Sequence, residues 1–187
     1  MDETLALGRE VAQKLAIKDI VLRCSNVQVR EGCSTIGTDF GKMSSQSFQA
    51  PADVDDFEIS RTPKNAEAEE KTKSHLYSFH YRIGVRLVPD EEHENSDDED
   101  YEPPIQIMAT FEARYVAPGE LVAEELDAFA KTHVGFNVWP FWREFVQSTC
   151  LKLGMNSTIN VPLYRMPTFD DSAALKQVQP EEDAEQE

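Results

Sequence analysis

The sequence predicts an α+β fold in which an antiparallel four-stranded sheet is covered on one face by C-terminal helices. Two long segments, residues 77–87 and 105–115, alternate apolar and polar side chains, as strands with one buried face do. A short acidic segment separates them, so we expect them to pair as an antiparallel hairpin. Apolar residues then recur at helical spacing towards the C-terminus, where helices are placed to cover the apolar face of the sheet.

Length sets the domain organisation. The 187 residues suit one hydrophobic core with additional segments at the two ends. We expect an N-terminal helix over residues 1–15, one folded domain over residues 16–167 and a disordered acidic tail over residues 168–187.

The formal net charge of −17 is concentrated in two short runs. Residues 90–102 hold nine of the 35 acidic side chains and residues 180–187 hold five, and neither run contains Lys or Arg. We interpret residues 90–103 as a solvated, mobile loop at the tip of the hairpin, where charge favours solubility over docking of a basic partner. Nucleic acid is a poor candidate partner, because the chain has no cluster of Lys and Arg.

The first two predicted elements are a helix and a strand. Leu7, Val11 and Leu15 recur every four residues, which predicts a short amphipathic helix. From Ile17 the pattern changes to alternation, and its parity switches part-way along the segment. The apolar residues on the two parities are Ile20, Leu22 and Cys24, then Val27 and Val29. Because one extra residue reverses which face points inward, we expect a bulge near residues 25 and 26.

The middle of the chain is less regular until the hairpin begins. Residues 32–51 are rich in Gly, Ser and Thr and are interpreted as a loop, residues 54–62 as a short strand and residues 64–73 as a charged connector. In the hairpin, the predicted inward-facing residues are Tyr77, Phe79, Tyr81, Ile83, Val85 and Leu87, and Ile105, Ile107, Ala109, Phe111, Ala113 and Tyr115.

Two helices are predicted after the sheet. Apolar residues at helical spacing between residues 122 and 131 predict the first. The second is expected to start near Pro140, since proline is favoured in the first helical turn, and to stop at Gly154, a typical residue just beyond a helix end. Residues 159–166 are predicted to form a last extended segment.

No residue pattern indicates catalysis or a bound metal. Motifs for phosphate binding, dinucleotide binding, a nucleophilic serine and a zinc protease are absent. His75 and His80 lie five positions apart on one predicted strand and so point to opposite faces, and the acidic loop lacks the spacing of a calcium loop. Cys150 is expected to be a buried, inert thiol. We therefore predict a non-enzymatic protein without a cofactor.

The expected compartment is the cytoplasm, without membrane insertion. The N-terminus lacks the basic start and apolar stretch of a signal peptide, and no apolar run approaches membrane-spanning length. The three cysteines are an odd number without a CxxC pair, so we expect reduced thiols.

Aromatic side chains are concentrated near the second predicted helix. Five large rings lie within ten positions: Phe136, Trp139, Phe141, Trp142 and Phe145. Because a helix buries only part of its circumference against one sheet, rings outside the inward stripe need another surface. Trp142 and Phe145 are assigned to the core. For Trp139 and Phe141 the sequence leaves two options open, the core or an exposed groove at a subunit interface or around a bound chain.

These C-terminal residues resemble the SecB family of export chaperones. The similar segments are residues 136–145 (FNVWPFWREF), residues 160–163 (NVPL) and the pair at 166 and 167 (MP). Residues 17–20 (IKDI) are similar to the family's first strand, and the two alternating segments fall where its sheet strands lie. The resemblance spans residues 15–167 and is specific at its two ends.

The resemblance implies an ATP-independent holdase, a chaperone that binds unfolded polypeptides in long apolar grooves. It also implies a homotetramer built as a dimer of dimers. In the family the grooves draw on the strand-loop region and on the helices. The residues that we therefore expect to contact clients are Ile20, Leu22, Val138, Trp139 and Phe141.

The resemblance leaves two roles open. Members of the family deliver preproteins to the SecA motor through acidic residues on the exposed sheet face, and Asp19 is similar to one of these. This chain has Arg23 where the family pattern expects a further acid. Its N-terminal helix and acidic loop are more similar to the SecB-like chaperones of toxin–antitoxin systems, whose client is an antitoxin.

Two rival functions also fit the residue pattern. A small-molecule enzyme or carrier would use the aromatic rings to line a closed pocket between sheet and helices. A dedicated adaptor would bind one folded partner only. Neither rival is expected to suppress the aggregation of unrelated proteins.

Overall fold

The computed structural model describes residues 3–38, 40–61, 72–98 and 100–165. The elements in chain order are α1 (Glu3–Lys14), β1 (Ala16–Val29), β2 (Met43–Arg61), β3 (Thr72–Pro89), β4 (Ile105–Ala117), α2 (Ala123–Phe129) and α3 (Gly135–Lys152). A π-helical turn over Ala130–Val134 joins α2 to α3, so the C-terminal helices form one continuous helical run. The four strands are followed by the C-terminal helices, which is the predicted α+β order.

The four strands form one antiparallel sheet in the order β1-β4-β3-β2. The predicted hairpin of β3 and β4 is confirmed, with Tyr77 opposite Tyr115 and Leu87 opposite Ile105. Every inward-facing residue predicted for these two strands is buried, because the period of two places all of them on the face that the helices cover. β1 and β2 lie at the two edges of the sheet.

The helices cover the apolar face in two layers. Phe129 of α2 packs on Phe79 and edge-on against Tyr115, with ring centroids 5.4 and 4.9 Å apart. Helix α1 crosses over α2 and the π-helical turn. The crossing is close, since a Cβ built on Gly8 would lie 2.1 Å from the hydroxyl oxygen of Thr132. The predicted N-terminal helix is therefore part of the folded body.

Strands β1 and β2 differ from the predictions in detail. The pairing of β1 shifts between Ile17 and Asp19 and between Leu22 and Cys24, so there are two irregularities, and neither is at residues 25 and 26. β2 begins at Met43, inside the segment interpreted as a loop. Its Ser- and Gln-rich start forms a strand because β3 supplies a complete row of backbone partners.

The second helix begins five residues earlier than predicted. Helix α3 starts at Gly135, and Pro140 lies inside it. A proline there removes one backbone hydrogen bond to the carbonyl group of Phe136. Phe136 is exposed, so water is available to that carbonyl group.

The acidic loop is folded onto the protein. Asp90–Asn95 form a 3-10 helix, and Ser96 behind it is buried. Arg30 donates two hydrogen bonds of 2.9 Å to Glu92, and the Tyr101 hydroxyl donates one of 2.8 Å to the same carboxylate. These contacts correct the expectation of a wholly solvated, mobile loop. Like charges along the run are offset by Arg30, next to the end of β1, and by Arg86 of β3, which lies 3.5 Å from Asp97.

Some predictions lie outside the described residues. Residues 64–71 of the connector and the tail over residues 168–187 are in this class. Residues 159–165 have no regular secondary structure, although Ile159 and Val161 are buried. In the part of the chain that the structure describes, no helix is long and apolar enough to cross a membrane.

Candidate functional site

Two apolar surfaces are left uncovered, one at each edge of the sheet. The helical run packs mainly over β3 and β4, whereas, in the part of the chain that the structure describes, β1 and β2 each have one edge without a neighbouring strand. Exposed strand edges bearing apolar side chains are surfaces at which another polypeptide binds. They are therefore the candidate sites.

We define the β1 surface as Ile17, Ile20, Leu22 and Val27. Each pairs with an inward-facing residue of β4, as Leu22 does with Phe111, so these side chains lie on the helix side of the sheet. Leu22 nevertheless remains 45% exposed. Phe111 packs edge-on against Phe145 of α3, 6.4 Å between centroids. Phe141 lies one turn before Phe145 and is also 45% exposed, so α3 extends this apolar surface.

We define the apolar cleft by its lining residues, which are Ser47, Phe48, Gln49, Trp139, Pro162, Leu163 and Arg165. It is a half-open cleft with a cavity volume of about 130 Å³, between the edge of β2 and the N-terminal half of α3. Leu163 is 77% exposed beside it, whereas Trp139 is only 8% exposed. Phe48 packs on Gly84 of β3, where a Cβ would come within 2.2 Å of the ring. A glycine at that position is what admits the Phe48 side chain.

We call residues 159–165 the strap, because this segment runs along the cleft and contacts both walls. The indole N–H of Trp139 donates a hydrogen bond of 2.9 Å to the carbonyl oxygen of Pro162. The side-chain amide of Gln49 donates one of 3.2 Å to the carbonyl oxygen of Arg165. The strap is thus held to α3 on one side and to β2 on the other.

Tyr164 anchors the strap from its centre. Its ring packs edge-on against Trp139 and Phe136, with centroids 5.3 and 6.0 Å apart. Its hydroxyl group meets that of Tyr81 above Gly135, where a Cβ would lie 2.5 to 2.7 Å from both oxygens. Burial raises the pKa of Tyr164 and of Tyr81, so both hydroxyl groups stay protonated at neutral pH.

The outer face of the sheet, opposite the helices, carries a row of alternating charges. Arg114 donates a hydrogen bond of 2.8 Å to Glu112, and Ser78 donates one of 2.5 Å. Arg23 lies 3.2 Å from the same carboxylate, and Asp19 pairs with Arg114 at 3.6 Å. Hydrogen bonds from Arg114 and Ser78 lower the pKa of Glu112 to about 2. Each acidic side chain in this row has an arginine partner, so the row is close to neutral.

The structure separates the predicted client-contact residues into three places. Ile20 and Leu22 lie on the β1 surface, with Phe141 on the adjoining side of α3. Trp139 lines the apolar cleft at the opposite edge. Val138 is fully buried in the core, so its side chain is not available to a client in this chain. The resemblance from which Val138 was chosen did not reveal that its side chain is buried.

Sequence patterns missed several residues of the cleft. Gln49 was interpreted as part of a loop, and nothing in the Ser- and Gln-rich segment marks it as a strand residue that reaches the strap. Tyr164 lies in a segment predicted to be extended, but its partners Tyr81 and Gly135 are far away in sequence. The only available signal was the resemblance, which included residues 160–163.

The two strand histidines and Cys150 are not grouped into a reactive site. His75 lies 3.2 Å from Asp56 and His80 lies 3.5 Å from Asp55, so the two strand histidines face different carboxylates. Burial raises the pKa of the Cys150 thiol, as expected of a core cysteine. Among the described residues, no group of three or more His, Cys, Asp and Glu side chains is arranged to hold a metal ion.

Comparison with known proteins adds a structural relative. No family model matches the sequence, and no curated protein matches it. The fold is similar to that of the SecB-like chaperone Rv1957 of Mycobacterium tuberculosis, solved in complex with a ChAD peptide from the Rv1956 HigA1 antitoxin. The two chains share 17% identity with a TM-score of 0.60, over 87% of this chain and 99% of the other. The chain therefore has the SecB-like fold that its sequence predicted.

Proposed function

We propose that the protein is an ATP-independent holdase that binds non-native polypeptide segments at its exposed apolar surfaces. The observation that supports this most directly is the apolar cleft, which is open at a free strand edge and lined by Trp139, Phe48 and Leu163. Burial of a client's apolar side chains there contributes about 25 cal/mol for each Å² removed from water. The solved SecB-like relative, which holds a peptide, supports the same function.

The β1 surface supports a second part of the proposal, self-association. Leu22 and Ile17 are exposed on an edge strand of 14 residues whose outer edge has no strand partner among the described residues. A second copy that pairs at this edge would cover both the backbone and the apolar side chains. We propose that copies join through β1 into the homotetramer that the resemblance implies. Ile20 and Leu22 then serve assembly in addition to any client contact.

The nature of the client is a further part of the proposal. We favour an antitoxin or another dedicated client over preproteins that are handed to SecA. The charge row supports this choice, because Arg23 and Arg114 neutralise Glu112 and Asp19 on the sheet face where an acidic docking surface is needed. The antitoxin peptide bound to the SecB-like relative also supports the choice of an antitoxin client. The cytoplasm is the proposed location for either role.

The experiment that tests the holdase function measures light scattering by an aggregating, non-native substrate protein, without nucleotide. We expect the protein to suppress aggregation at near-stoichiometric amounts. Ser47→Asp, which places a charge on the β2 wall of the cleft, is expected to weaken suppression several-fold. Ile36→Asp is the matched control, because Ile36 is 75% exposed and lies outside the cleft.

Unchanged aggregation at tenfold excess of the protein would contradict the proposal. Equal suppression by Ser47→Asp and the wild-type protein would remove the cleft from the client site. A protein that binds one antitoxin peptide saturably but leaves aggregation unchanged would be a dedicated chaperone instead of a general holdase.

A further inference from the structure

The strap has two halves that differ in how they are held. In the inner half, Ile159 and Val161 are buried against the core. In the outer half, Pro162, Leu163 and Arg165 are exposed, and Leu163 is the most exposed large apolar residue of the described chain. The inner half is therefore fixed by the core, whereas in residues 162–165 only Tyr164 packs against it.

The contacts that hold the outer half are mostly independent of side-chain identity. Trp139 and Gln49 both donate to main-chain carbonyl oxygens, those of Pro162 and Arg165. Every residue of any polypeptide offers such an acceptor. The same two donors are therefore suited to hold a different chain in the same place.

One contact of the outer half does depend on a side chain. Tyr164 places an aromatic ring between Trp139 and Phe136 and brings its hydroxyl group to Tyr81. This seat for one large ring lies beside β2, whose outer edge has no strand partner among residues 3–38, 40–61, 72–98 and 100–165, so an extended chain has backbone partners available there. The arrangement is that of a peptide-binding site already occupied by a short piece of its own chain.

We propose that residues 162–165 are a built-in competitor for the apolar cleft, and that an extended client segment displaces them. The client takes over the hydrogen bonds from Trp139 and Gln49, and one of its aromatic or large aliphatic side chains enters the seat of Tyr164. The inner half of the strap stays in the core and acts as the hinge. This inference rests on the proposed holdase function, because it names what regulates the same cleft.

Competition has a measurable consequence. A site that is open for only a fraction of the time binds its client more weakly by that fraction. Tyr164→Ala removes the ring that holds the competitor but leaves Trp139, Gln49 and Tyr81 in place. We expect this variant to bind clients about three- to tenfold more tightly than the wild-type protein, since ring contacts of this kind differ by such factors.

The first test is fluorescence anisotropy with a labelled, permanently unfolded probe, reduced and carboxymethylated α-lactalbumin. Tighter binding by Tyr164→Ala supports the proposal, with Asn160→Ala as the control because Asn160 is an exposed strap residue outside the cleft. Weaker binding by Tyr164→Ala would overturn it and make the outer half a wall of the site. If the wild-type protein does not bind the probe, the holdase function itself fails.

The second test uses the wild-type protein and does not depend on folding of the variant. Hydrogen exchange is measured on strap peptides with and without the saturating probe. Displacement predicts faster exchange of the amides of residues 163–165, while the buried inner half remains protected. Slower exchange or no change in residues 163–165 on binding would contradict displacement.

Discussion

Arg30 donates two hydrogen bonds of 2.9 Å to the carboxylate of Glu92, and so joins the end of β1 to the acidic loop. The same arginine also donates a hydrogen bond of 3.0 Å to the carbonyl oxygen of Glu102 at the other end of the loop. Opposite charge and hydrogen bonds from Arg30 and Tyr101 lower the pKa of Glu92. One side chain therefore fixes the loop at two points.

Replacing Glu92 tests how much its ion pair with Arg30 stabilises the fold. Glu92→Gln removes the charge and is expected to lower the free energy of unfolding by about 1 kcal/mol, because the paired side chains are partly exposed. Urea denaturation at pH 7 measures the change. Glu94→Gln is the control, since Glu94 is exposed in the same 3-10 helix. An equal effect of the two substitutions would mean that only the net charge of the loop matters.

The charge row on the outer face makes stability depend on pH. The folded-state pKa of Glu112 is about 2, below its ordinary value of 4.5, so the carboxylate stabilises the fold above pH 4.5. That contribution, about 2–3 kcal/mol, is lost as the pH falls from 4.5 to about 2. Chemical denaturation at a series of pH values measures it.

Glu112→Gln is expected to remove this part of the pH dependence. The variant should be less stable than the wild-type protein at pH 7 and nearly equal to it near pH 2. Glu124→Gln, at an exposed position in α2, should retain the wild-type profile. A Glu112→Gln profile parallel to that of the wild-type protein would show that another group titrates.

The crossing of α1 over the π-helical turn is the subject of a third prediction. Gly8→Ala is expected to lower the free energy of unfolding by about 1–3 kcal/mol, because its Cβ overlaps the hydroxyl oxygen of Thr132. Thr132→Ala removes that oxygen, so the double variant should recover part of the loss. A double-mutant cycle by thermal unfolding measures this coupling. Additive effects would indicate that α1 shifts away instead of overlapping.

The fourth prediction concerns assembly through the β1 surface. Leu22→Asp is expected to reduce the solution mass from that of a tetramer to that of a smaller species, because a charge is buried without a partner. Light scattering coupled to gel filtration measures the mass. Ile36→Asp should leave the assembly unchanged. A tetramer formed by Leu22→Asp would assign assembly to another surface.

The sequence predicted the strands in which one whole face is buried beneath the helices. β3 and β4 are buried on one face along their whole length, so a strict period of two marks both strands. The start of β2 does not show this alternation of apolar and polar residues, because the exposed Ser45 and Ser47 give it the composition of a loop. Its structure is decided by pairing with β3, which no local pattern records.

The candidate site was predicted only in outline for a similar reason. The aromatic cluster and the resemblance both identified Trp139, which does line the cleft. The donors and acceptors around it come from Gln49, Tyr81 and Tyr164, which meet only in the folded chain. Val138 is fully buried in this chain, and no local pattern shows this.

The π-helical turn between α2 and α3 has a consequence for insertions and deletions. The π-helical turn Ala130–Val134 accommodates one residue more than an α-helical turn holds by widening, so α3 continues with nearly the angular phase of an uninterrupted α-helix. Loss of one residue in this turn would therefore leave a regular α-helix with Trp142 still buried against the core. Loss of one residue between the turn and Trp142 would instead rotate Trp142 by about 100° and bring Arg143 into its place.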